Sequence, residues 1–151
     1  MTLFKLIHLL AALVWVGGMF FSYVVLRPAA VEVLQPPERL RLWNAVFRRF
    51  FSLLWSAIGA VLITGLYMIY QLGGLAQVPH FVQLMLILGV LMTAVFCYVF
   101  FACFVPFSLF IAKERWHEAG AILSKIRHLV ALNLTLGVST IVVAKVGMLW
   151  G

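Results

Sequence analysis

The sequence of 151 residues is long enough for one domain, and its composition excludes a soluble one. Hydrophobic residues make up 66% and charged residues 10%, against roughly 45–50% and 25% in ordinary globular domains. So small a particle has too much surface to cover with so few charged side chains. The bilayer is its solvent, and the net charge of +7 points to sidedness and contact with anionic headgroups, not to nucleic acid.

Four apolar stretches are each long enough to cross about 30 Å of hydrocarbon at 1.5 Å per residue. The first helix is expected over residues 2–26, interrupted only by Lys5 and His8. Pro28, Pro36 and Pro37 break the connection that follows. The second helix is expected over residues 50–72, and Gly73, Gly74 and Pro79 mark a tight turn after it. The third spans residues 80–112 and is longer than a crossing requires, with Pro106 expected to kink its far end. The fourth spans residues 120–150. The expectation is an all-α integral-membrane four-helix bundle, a single domain over residues 1–151. Cys97 and Cys103, six positions apart on one helix, lie roughly 9 Å apart along its axis, too far to bridge.

Nine of the eleven basic residues fall in or beside the first and third connections, and only Lys5 and Lys145 belong to the other side. The positive-inside rule therefore makes those connections cytoplasmic and both termini extracytoplasmic. The expected location is the bacterial inner membrane, multi-pass, with anionic headgroups as its contact at the cytoplasmic face. A homo-oligomer is compatible with the sequence.

His8, Ala12, Trp15 and Met19 share one stripe of the first helix, with Gly17 and Gly18 beside it for close approach of a neighbour. Thr64, Met68 and Gln71 make a polar stripe on the second. Met85, Gly89, Met92, Phe96 and Cys103 line up on the third, and Asn133, Gly137, Thr140, Ala144 and Gly147 on the fourth. An ionisable side chain inside a span is a functional candidate by default, and neutral imidazole ligates copper, zinc and haem iron alike. His8 is therefore the leading site residue, against the alternative of a histidine that bonds a facing helix. Met68, His80, Met85 and Met148 share its level. The methionines are soft ligands for Cu(I), or else core and lipid filler. Trp15 walls a cofactor pocket or packs. Lys145 snorkels to the headgroups or pairs with a haem propionate. His128 lies roughly 10–15 Å deeper than His8 and cannot share a metal ion with it.

No nucleophile–base pair, phosphate loop or paired carboxylate is present, which excludes a hydrolase or an ATP-driven pump. The run from His8 through Trp15, Gly17 and Gly18 to Leu26-Arg27-Pro28 resembles the first helix of small inner-membrane proteins related to the copper resistance protein CopD. The segment around Phe47-Arg48-Arg49, with Leu62 to Tyr67, resembles their second helix, and Ile126 to Gly137 their fourth. The resemblance implies a four-helix protein of copper uptake or tolerance, with copper bound or moved at an outer-leaflet site on His8. The same spacing of His8 and Trp15 is also similar to HemJ, a membrane protoporphyrinogen oxidase, which implies haem b with His8 as axial ligand, in electron transfer or an oxidase step. Gln83 stands where HemJ-like proteins carry a lysine, which counts against porphyrinogen oxidation but not against haem. A cofactor-free accessory subunit is the third reading.

Overall fold

A computed structural model of the protein describes residues 1–150; Gly151, the last residue of the expected domain, lies outside the described residues. Four helices account for nearly all of it: α1 (Thr2–Val33), α2 (Pro36–Gln71), α3 (His80–Ala112) and α4 (Trp116–Trp150). Helices of 32 to 36 residues are about 50 Å long at 1.5 Å per residue, against roughly 30 Å of hydrocarbon. Each is apolar enough over an 18-residue window to cross a membrane. The chain is an all-α, integral-membrane four-helix protein.

The helices overrun the apolar stretches mainly at the basic end. α1 continues to Val33, and α2 begins at Pro36. Proline suits the first turn of a helix, whose N–H groups have no intrahelical acceptor anyway, so Pro36 and Pro37 start α2 instead of keeping the chain extended. Arg39, Arg41, Arg48 and Arg49 are consequently helical, and only residues 34–35 separate α1 from α2. The turn between α2 and α3 requires its glycines: Gly73 and Gly74 have φ of +95° and +93°, where a Cβ would be strained.

Pro28 and Pro106 lie inside long helices, where each lacks an N–H and would crowd the carbonyl four residues back. A π-helical turn precedes both, Phe21–Leu26 in α1 and Val99–Phe104 in α3. The residue just before each proline bonds five back, Arg27 N–H to the Ser22 carbonyl and Val105 N–H to the Phe100 carbonyl. The wider turn absorbs the ring without ending the helix.

α1 packs mainly on α2 and α3 on α4, with lighter α1–α4 and α2–α3 seams closing the bundle. Glycines set the closest approaches. Gly18 of α1 faces the ring of Phe50, and Gly147 of α4 faces Phe81. A Cβ on Gly137 would stand 2.8 Å from Val16 and 3.2 Å from Met92, so α4 meets α1 and α3 there. Gly89, on the small-residue stripe of α3, has no such neighbour. The basic half of the core is aromatic. Phe47 stacks on Phe51 with centroids 5.0 Å apart, and Phe51 meets Phe104 edge-on at 5.2 Å. Phe107 and Ile126 are fully buried, whereas Leu13, Ile63 and Ile87 point outward, as lipid-facing side chains do.

Candidate functional site

His8 sits two turns into α1, half-buried against α2. Its Nδ1 lies 2.9 Å from the Thr64 hydroxyl. Thr64 is buried, and its hydroxyl donates to the Ala60 carbonyl of its own helix at 2.5 Å. A threonine hydroxyl has one proton to give, so while it bonds the Ala60 carbonyl it accepts from His8. In that arrangement the imidazole carries its proton on Nδ1, and the Nε2 lone pair is free. A metal-binding histidine is commonly held this way, by an outer partner that fixes tautomer and ring orientation. Gly65 backs the ring, since a Cβ there would stand 3.2 Å from His8 Cε1. One turn earlier, Phe4 stacks on Tyr67 with centroids 4.1 Å apart and fixes the register of α1 on α2.

Met68 follows Thr64 by one turn on the same face of α2 and is half-buried, as is Met85 on α3. His80 is exposed at the start of α3, with Nδ1 3.4 Å from Gln83 Oε1. Lys145 is exposed and Met148 is 71% exposed at the far end of α4. Among the described residues, no group of three or more His, Cys, Asp or Glu side chains is arranged to hold a metal ion. Thioether sulfur from the neighbouring methionines is the soft donor type that could complement His8 towards Cu(I). His128 is exposed, with its Nδ1 donating to the Ser124 carbonyl at 2.7 Å.

Trp15 is 2% exposed, inside the bundle beside Met19. It lines a cavity of about 20 Å³ together with Asn133 of α4. Trp15 Nε1 and Asn133 Oδ1 are both buried without a hydrogen-bond partner. The small cavity shares Ser22, Phe47 and Val130 with a much larger one, about 640 Å³, between α1, α2 and α4 at the basic end.

Two parts of this arrangement were not anticipated from the sequence. The sequence sets Thr64 on a polar stripe with Met68, which shares the level of His8, but does not reveal the bond from Thr64 to His8. The large cavity left no trace in helical periodicity. It depends on how far three helices splay, and only its arginines were visible.

The family description CopD, copper resistance protein D, matches residues 44–146, which is most of α2, all of α3 and α4 as far as Val146. α1, with His8, precedes the matched stretch. No curated protein and no solved structure matches the chain.

Proposed function

The chain belongs to the copper resistance protein D (CopD) family and is a multi-pass inner-membrane protein, and from that premise we propose that it binds or moves copper at a site built on His8. The observation that supports this reading is the Thr64 hydroxyl 2.9 Å from His8 Nδ1, which anchors the ring at that nitrogen; with the proton on Nδ1, Nε2 is the ligand. Met68 is the nearest soft donor by helical register, and Met85 and Met148 are further thioethers at the same end of the bundle. Thioether and imidazole together suit Cu(I). His80 and Lys145 stand at the rim of that end, where they meet headgroups or an arriving ion.

Nine of the eleven lysines and arginines lie towards the opposite end. The positive-inside rule turns that end to the cytoplasm and puts both termini, with His8, towards the outer leaflet. Copper is then taken up on the outer side.

Protein purified in detergent and loaded with Cu(I) under anaerobic conditions tests the site. Wild type should hold stoichiometric copper by elemental analysis, and His8→Ala should lose it with an unchanged melting temperature. His128→Ala should keep it, because that imidazole lies at the other end. Full copper retention in His8→Ala would overturn the proposal. A Soret band in the protein as purified, lost in His8→Ala, would replace copper with haem b at the same histidine.

A further inference from the structure

The 640 Å³ cavity at the basic end has a composition unlike the rest of the bundle. Arg27 of α1, Arg39 of α2 and Arg127 of α4 all line it. No carboxylate lines it, and none of the three arginines has an acidic partner among the described residues, whose ion pairs are Arg41–Glu114 and Arg115–Glu118. Arg127 is eleven residues into α4, about 16 Å along the helix at 1.5 Å per residue. That is a costly place for an unpaired guanidinium beside lipid. The three are half-buried, so the protein holds them at the cavity instead of releasing them to bulk water.

Local structure builds this concentration of charge. The π-turn of α1 stacks Arg27 over Ser22 through the bond from Arg27 N–H to the Ser22 carbonyl, and both side chains line the cavity. The Arg27 guanidinium lies over the Tyr23 ring, 5.4 Å from its centroid. The start of α4, at Trp116 and His117, also faces the cavity and adds the positive end of a helix dipole. The rest of the wall has another character: Leu40, Trp43, Phe47, Ile126 and Val130 are apolar. A Cβ on Gly120 would meet nothing within 4 Å, so the cavity is open along α4.

We propose that this cavity binds an acidic phospholipid, with its phosphate held by Arg27, Arg39 and Arg127 and the head of an acyl chain laid along Leu40, Trp43 and Phe47. A soluble phosphate would satisfy the arginines but leave the aromatic wall uncovered. A neutral lipid would cover the wall but leave three cations unmatched. The acidic lipid is the occupant that meets both, and it is abundant around any protein in a bacterial inner membrane.

The test is lipid retention. Protein reconstituted in vesicles of equal phosphatidylglycerol and phosphatidylcholine is extracted into detergent, and its bound lipid is counted by native mass spectrometry. Wild type should retain phosphatidylglycerol well above phosphatidylcholine. Arg27→Gln with Arg39→Gln and Arg127→Gln should weaken retention on the order of 100-fold, taking about 1 kcal/mol per basic residue. Arg48→Gln with Arg49→Gln, which removes charge from the exposed face of α2, should leave it unchanged. Gly120→Leu fills the cavity without touching a charge and should also expel the lipid while the melting temperature in detergent holds. Equal retention of the two lipids would overturn the proposal, as would equal loss in the two arginine sets or full retention in Gly120→Leu. Thermal stabilisation by glycerol phosphate matching that by phosphatidylglycerol would make this a soluble-anion site and overturn it as well.

Discussion

Trp15 of α1 and Asn133 of α4 line one small cavity in the middle of the bundle, a buried donor and a buried acceptor that both lack a protein partner. An unpaired buried polar group costs about 1–3 kcal/mol, so packing alone does not account for this asparagine. Asn133→Leu conserves shape and removes the penalty. Its melting temperature in detergent should equal or exceed that of wild type. A marked loss of stability would mean that the Asn133 amide makes a bond which the neighbouring side chains do not reveal.

Glycines on the small-residue stripes should respond in opposite directions according to what faces them. A Cβ at Gly147 would run into Cβ and Cγ of Phe81, atoms too near the backbone of α3 to swing away. Gly147→Ala should cost about 1–3 kcal/mol by overpacking, read as a lower melting temperature. Gly89→Ala enters open space and should gain up to about 1 kcal/mol from helix propensity.

These glycines also mark how far the sequence could be read. Gly18, Gly137 and Gly147 seat neighbours as their helical stripes imply, because small residues matter only where backbones approach. Gly89 has the same spacing and seats nothing, since periodicity identifies a face without saying what stands opposite. The apolar runs located four spans but not the ends of the helices. Hydropathy reports hydrocarbon thickness, and α2 extends some fourteen residues, from Pro36 to Arg49, before its apolar run begins. Pro28 and Pro106 were expected to break or kink their helices, and a π-turn ahead of each accommodates it instead. At the candidate site, the histidine was legible from its chemistry alone. Its partner was not, because Thr64 lies 56 positions away and only the register of α1 on α2 brings the two together.

Sidedness has a direct readout. A reporter active only in the cytoplasm, inserted at Gln35 or at Glu114 between helices, should be active. Fused to either terminus it should be silent, because nine of the eleven basic residues lie towards the end that carries these two connections. Activity at the C-terminus would reverse the bundle and move His8 to the inner leaflet.

Thr64 offers the sharpest test of the copper site, because it acts on the metal only through His8. Thr64→Val keeps the volume and the branched shape and removes the oxygen that bonds His8 Nδ1. The imidazole then loses the contact that fixes its ring orientation and tautomer. Loss of such an outer partner typically costs 10–100-fold in metal affinity, so Cu(I) affinity measured by chelator competition should fall by about that factor. Thr64→Ser restores an oxygen at the same position and should recover most of the affinity. The pair separates orientation from bulk packing: a structural role would lower the melting temperature in Thr64→Val while leaving copper affinity per folded molecule unchanged. That second pattern would remove Thr64 from the site and leave His8 without the feature that marks it as a ligand.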